Sequence, residues 1–160
     1  METTALVKTG EAAQNHELIQ LVSFCLDNEE YAVEVLKVRE IIRMPEITRM
    51  PNTPNYAEGI INLRGKVIPV ISMRKKFGLC DSEYSRSTRI VVTDISTGLT
   101  GFIVDSVSEV IRIYRSEIQP PPSAVAADKV SQEYICGVIN RSDRMLIFLD
   151  MENVVPMEDM

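Results

Sequence analysis

The chain has 160 residues and a net charge of −6, with 17 basic against 23 acidic side chains, a balance that opposes broad attraction to nucleic acid or anionic lipid. Apolar residues make up 45% and charged residues 25%, which fits a folded globular protein and excludes a disordered one. One histidine, His16, and three scattered cysteines with no Cys-x-x-Cys pair leave zinc chemistry and histidine-based catalysis without their usual parts.

Residues 1–16 are polar, with neither the basic start nor the apolar block of a secretion signal, and are expected as a flexible tail. Leu18 to Leu26 is apolar and β-prone, Asp27-Asn28-Glu29-Glu30 is turn-like, and Tyr31 to Val35 returns as a second strand. Val38-Arg39-Glu40-Ile41-Ile42 continues as a third. Met44 to Asn55 carries Pro45, Pro51 and Pro54, and proline disfavours ladder pairing, so this stretch reads as an extended surface loop. Gly59-Ile60-Ile61-Asn62-Leu63 and Lys66-Val67-Ile68-Pro69-Val70 are two strands joined at an Arg64-Gly65 tip. Met73 to Phe77 has room for one helical turn. Arg89 to Ile95 leads through Ser96-Thr97-Gly98 to a strand at Gly101 to Asp105. A second proline loop, Gln119 to Gln132, contains Pro120-Pro121-Pro122. Gly137-Val138-Ile139-Asn140 and Arg144-Met145-Leu146-Ile147-Phe148 then form another hairpin, and Asp150 is placed to cap a short helix to Val155, with a tail at 156–160. No apolar run approaches the ~20 residues of a membrane span. Cys25 and Cys136 lie in apolar runs, where a thiol acts as a small hydrophobe; this usage points to a reducing, cytoplasmic setting.

The second half repeats the first. A shift of 69 superposes Val35, Val38, Glu40, Ile42 and Arg43 on Val104, Val107, Glu109, Ile111 and Arg112. A shift of 78 superposes Tyr56, Gly59, Ile61 and Asn62 on Tyr134, Gly137, Ile139 and Asn140; the offset grows because the second proline loop is longer. Chance similarity between valine-rich strands explains neither the shared Tyr-x-x-Gly-x-Ile-Asn nor the common order. About five short strands per copy are enough for a small barrel. The expected fold is therefore mostly β, two five-stranded barrels packed together with little helix. The domain spans 17–155, with one lobe at about 17–80 and the other at about 87–155; strand exchange between copies leaves that boundary open.

Two lobes leave a seam, and the candidate residues surround it. Gly65 serves backbone geometry at the tip, and Gly59 marks a bulge or a close approach of another chain. Arg64 has Ser142 at its equivalent in the second copy, so the fold does not require arginine there. Glu40 is the expected mate that holds its guanidinium at the mouth of an apolar groove. Val38, Ile41, Ile42 and Leu63 either face a barrel core or line that groove, which would suit an amphipathic helix. Arg74-Lys75-Lys76 reads as a solvated helix face. Asp94, Asp105 and Asp150 carry no catalytic signature around them. A double-barrel hydrolase using an acidic pair is the reading from another class, and it requires a deep pocket with two close carboxylates.

The order Leu21-Val22-Ser23-Phe24, Tyr31-Ala32-Val33, Val38-Arg39-Glu40-Ile41-Ile42, Pro54, Gly59 to Gly65 and Phe77-Gly78-Leu79, with Asp143-Arg144-Met145-Leu146-Ile147 near the end, resembles the CheW family of bacterial chemotaxis adaptors across roughly residues 17–155. Ser72 departs from the pattern, standing where the family more often has aspartate, which bears on a helix cap there. The resemblance implies two SH3-like barrels, no catalytic activity, no metal and no cofactor. It implies an adaptor that couples methyl-accepting chemoreceptors to the histidine kinase CheA, recruited to receptor arrays through its partners. Those partners are the cytoplasmic tip of the receptors, the regulatory domain of CheA and other CheW-like domains. In the family the region matching Val38, Glu40, Gly59 and Arg64 is associated with receptor binding; Ile41, Asn62 and Leu63 complete the expected surface. The region of Gly98, Gly101, Val107 and Val110 is associated with kinase docking. A chain this short leaves no room for kinase modules, so a stand-alone adaptor is expected.

Overall fold

Continuous apolar runs such as Ile90-Val91-Val92 form where a strand is covered on both faces, and that condition organises the whole molecule. The computed structural model describes residues 16–121 and 134–154; the expectations for both tails and for residues 122–133 of the second proline loop fall outside them. The strands are β1 (Leu18–Leu26), β2 (Glu29–Glu34), β3 (Val38–Arg43), β4 (Ala57–Leu63), β5 (Lys66–Ser72), β6 (Arg89–Ile95), β7 (Gly98–Val104), β8 (Ser106–Tyr114), β9 (Ile118–Gln119), β10 (Ile135–Arg141) and β11 (Arg144–Leu149). Two single-turn helices, α1 (Met73–Lys76) and α2 (Met151–Val154), follow β5 and β11.

One sheet has the order β8-β1-β2-β11-β10-β9 and the other β3-β6-β7-β5-β4, each curled as an SH3-like barrel. Neither is built from one half of the chain, so the division near residues 78–88 is one of sequence and not of sheets. The orders match position by position under the internal repeat, down to one parallel pair in each, β2 with β11 and β7 with β5. The two-residue β9 adds a sixth strand to the expected five; its counterpart is the single bridge between Thr48 and Ile60.

Alternate side chains of β1 and β6 enter different cores. Ile19 and Leu21 fill one barrel, Ile90 and Val92 the other, while Val22, Phe24, Leu26, Val91 and Ile95 meet in a third cluster between them. The seam is therefore packed and not an open cleft. Phe24, Tyr31, Phe77 and Tyr134 run through it in sequence, with ring centroids 5.8, 5.4 and 5.2 Å apart.

Each short helix then latches the first hairpin turn of the other sheet. Arg74 of α1 pairs with Asp27 (2.6 Å) in the β1–β2 turn and with Asp105 (2.6 Å) at the β7–β8 junction, and its Nε donates to the Cys80 carbonyl (2.8 Å). Partial desolvation works against its charge, but the hydrogen bonds and charges of Asp27 and Asp105 outweigh this and hold the guanidinium pKa above its ordinary value. At the equivalent position of the repeat, Glu152 of α2 accepts from the Ser96 amide (3.1 and 3.0 Å) in the β6–β7 turn and lies 3.6 Å from Lys37. The two latches use opposite charge at one structural position. Arg74 has only 14% of its side chain exposed, so Arg74→Ala strands two aspartates beside a closed seam and is expected to cost about 2–3 kcal/mol in urea unfolding. A loss below about 0.5 kcal/mol would mean that the latch is ornamental.

The basic run is thus not a solvated face: Lys75 pairs with Glu58 (2.6 Å), and Lys76 lies 4.3 Å above the Tyr56 ring. Ser72 does cap α1, its Oγ accepting from the Lys75 amide at 3.2 Å, because serine and aspartate are comparable at this position. Asp150 caps α2 through the Glu152 amide at 3.0 Å.

Candidate docking site

A two-residue hairpin whose central residues both have positive φ twists with its strands and favours Asn-Gly or Gly-Gly. Here Arg64 and Gly65 have φ of 53° and 86°. Asn62 secures the turn, its Oδ1 accepting from the Gly65 amide at 2.8 Å. A left-handed arginine costs about 1 kcal/mol of backbone preference, which the turn alone does not call for. Its side chain explains the placement. Nη1 and Nη2 donate to the two carboxylate oxygens of Glu40 at 2.6 and 2.9 Å, a forked, charge-assisted contact.

Glu40 lies on β3 and Arg64 at the end of β4, the two strands at opposite ends of their sheet's order. The pair therefore bridges the open side of that barrel. The hydrogen bonds from Arg64 hold the Glu40 carboxyl below the usual carboxylate range, and those to Glu40 raise the guanidinium in turn. Arg64 keeps 73% of its side chain exposed against 24% for Glu40, so the carboxylate orients an outward-facing cation.

The remaining expected receptor residues divide by burial. Ile41 and Asn62 are exposed; Val38 is half-buried on the central core, and Leu63 and Ile42 are half-buried on the barrel core. Gly59 is buried, and a Cβ there would stand 2.1 Å from the Thr48 carbonyl oxygen. It admits the closing bridge of the barrel, so its influence on a partner passes through backbone shape. Of the expected kinase residues, Val110 is 59% exposed and Val107 half-buried on the central core. Gly98 opens β7 with φ of 119°, and Gly101 is buried against Ile90.

The two expected sets overlap under the repeat only at β3 and β8, through Val38 with Val107 and Ile41 with Val110, and Glu109 adds the counterpart of Glu40. Glu109 also has an arginine, one that no local sequence signal marks: Arg144 of β11 donates to Glu109 and, at 3.3 Å, to Glu30. The equivalent of Arg144 is Lys66, two residues after Arg64, so the residue shift alone does not match the two arginines. Leu36 is likewise unmarked. It sits 91% exposed on the 3-10 turn that crosses between the sheets, beside a groove of about 430 Å³ that Leu18, Ile19 and Val35 also line.

The three aspartates considered for catalysis are occupied in separate contacts. Asp94 lies 3.5 Å from Arg39, Asp105 binds Arg74, and Asp150 caps α2. Among the described residues no three His, Cys, Asp or Glu side chains are grouped to hold a metal. Cys136, expected as interior filler, is exposed, yet partial desolvation, then the charges of Asp150 and Glu34, push its thiol up to about 11. No helix among the described residues is long and apolar enough to cross a membrane.

Duplicated sheets with a fused seam, and an arginine braced outward on a hairpin tip, define a paired SH3-like barrel protein whose distinctive groups lie on its surface. A sequence model of the CheW-like domain matches residues 20–159, and the chain belongs to that family. It is 37% identical to the chemotaxis protein CheW of Helicobacter pylori over 141 residues, 88% of this chain and 84% of that one. It is 35% identical to CheW of Bacillus subtilis over 156 residues, covering 97% and 93%. The crystal structure of the scaffolding protein TtCheW from Thermoanaerobacter tengcongensis superposes with a TM-score of 0.81 at 35% identity, covering 90% of this chain and 97% of that one.

Proposed function

We propose that this protein is a chemotaxis scaffold that couples chemoreceptors to the histidine kinase CheA by contact, without bond-breaking chemistry of its own. Its relatives are chemotaxis CheW proteins and a structural neighbour is a scaffolding protein. The observation that carries the reading is the braced tip: Glu40 aims Arg64 outward beside exposed Ile41. A preoriented guanidinium next to an apolar side chain suits a helical protein partner, supplying one directional contact and one anchor. The receptor tip lies along Val38, Glu40, Ile41, Asn62, Leu63 and Arg64, with Gly59 shaping the hairpin beneath, and its apolar face reaches toward Leu36 at the sheet crossing.

The kinase's regulatory domain docks elsewhere. Gly98 borders a shallow groove of about 410 Å³ with Val67, Pro69 and Leu99, and Val67 is 67% exposed. This end of a barrel suits a second barrel, with Val107, Val110 and Gly101 contributing through the seam and β8. Individually modest contacts gain strength by repetition in an array, which also brings the protein to the membrane. A pull-down with a receptor cytoplasmic fragment and CheA tests the reading: both are expected to be retained together, and failure to retain either would reject it.

A further inference from the structure

Beyond Ile42, β3 ends in a feature that the braced tip does not use. Arg43 stands directly opposite Arg89 across the antiparallel pair of β3 and β6. Like charges in that register repel and weaken a sheet. Neither side chain, nor that of Arg86 beside them, forms an ion pair with a described residue, although seven other cations of this chain do. All three arginines line one open groove of about 550 Å³, with Met44, Ser85 and Thr88.

The groove is also stiffened from below. The Thr88 amide donates to the Ser85 carbonyl (3.2 Å), the Ser85 amide to Thr88 Oγ1 (2.8 Å) and the Ser87 amide to Ser85 Oγ (3.1 Å). This closed turn carries Arg86. Arg89 spends Nη1 on the carbonyls of Arg86 (2.6 Å) and Thr88 (2.8 Å), so its guanidinium is held while Nε and Nη2 have no acceptor among the described residues. Three arginines on one groove, one guanidinium held by backbone carbonyls and none ion-paired with a described residue, make a site suited to an anion.

We propose that this groove docks an acidic peptide segment of a protein partner, two or more of whose carboxylates separate the three arginines. The groove is larger than a single phosphate needs. The net charge of −6 resists long polyanions, and Met44 is the one apolar side chain lining it, which offers little to an apolar helix. The site begins three residues along β3 from Glu40, shares no lining residue with the braced tip and does not depend on the reading given to it.

The test is titration of the isotopically labelled full chain with acetylated hexaglutamate amide, with hexaglutamine and inorganic phosphate as the other arms, followed by amide shifts. Hexaglutamate is expected to move the amides of Arg43, Arg86, Thr88 and Arg89 and to bind several-fold more weakly as salt rises past the screening range. Replacing both Arg43 and Arg86 by glutamine is expected to weaken it roughly tenfold or more. Equal shifts from hexaglutamine, saturation by phosphate with no preference for the peptide, or unchanged binding by the double variant would overturn the proposal. Arg43→Gln alone is expected to keep or raise the melting temperature of the free protein, since it removes the opposed charge. A fall would mean that Arg43 serves the fold, and would overturn the proposal too.

Discussion

Gly59→Ala is expected to destabilise the protein by about 3 kcal/mol or more, a loss visible as a large fall in the urea midpoint. The added Cβ would stand 2.1 Å from the Thr48 carbonyl oxygen, and the backbone there has φ of 146°. Backbone atoms cannot swing aside as a side-chain end does, so the bridge from Thr48 to Ile60 must open or the hairpin must shift. The repeat supplies the control. A Cβ on Gly137 would stand 2.6 Å from the Gln119 carbonyl oxygen of β9, without the unusual φ. Gly65 has positive φ but nothing within 4 Å, so alanine there costs about 1 kcal/mol from conformation alone. The expected order of damage is Gly59, Gly137, Gly65. Equal effects at Gly59 and Gly65 would show that steric closure of the barrel is not what the buried glycine provides.

Reversing Arg64 to glutamate is expected to weaken binding of a receptor fragment by roughly tenfold to a hundredfold while leaving the fold intact. The variant puts two carboxylates where a forked pair stood, and Glu40 loses the donors that orient it. Both groups sit at the surface, where ion pairs contribute little to stability, so calorimetry is expected to record a small change beside a large loss of binding. Glu40→Arg combined with Arg64→Glu restores the pair but turns the outward charge negative. The small change in stability is expected to be reversed, while binding is not restored. A swapped variant that binds normally would show that the pair closes the barrel and does nothing else. Acid acts in the same sense: because the Glu40 pKa is lowered on pairing, the brace is intact above the ordinary carboxylate value and is lost only as pH falls through the lowered one.

Strand positions were legible where both faces of a strand are buried. Leu18 to Leu26 and Arg89 to Ile95 coincide with β1 and β6, because the middle of a strand between two cores is buried on both faces and mostly apolar. The duplication was legible for the same reason, since equivalent core positions keep equivalent residues. Serine in place of arginine at the second tip showed that the fold does not require Arg64, and the course of β3 beside the hairpin of a small barrel made Glu40 its mate. Other features depend on pairings distant in sequence. Nothing local marks the parallel contacts of β2 with β11 or β5 with β7, nor the two-residue β9 at the edge of a proline loop. The two latches are not legible in the sequence because Arg74 and Glu152 occupy one position with opposite charge, so similarity hides what the fold makes equivalent. Burial likewise sorted Val38 and Leu63 toward the cores and left Ile41 outside, a distinction that alternating apolar residues on a curled strand do not carry.

Kinase output measured in the assembled system tests the account most directly. Receptor cytoplasmic fragments and CheA are combined under assembling conditions with the wild-type chain, with Arg64→Glu, or with neither. Wild type is expected to make CheA phosphorylation respond to the receptor, and Arg64→Glu to reduce that response several-fold while remaining folded. CheA activity that ignores the wild-type chain would contradict the scaffold reading outright.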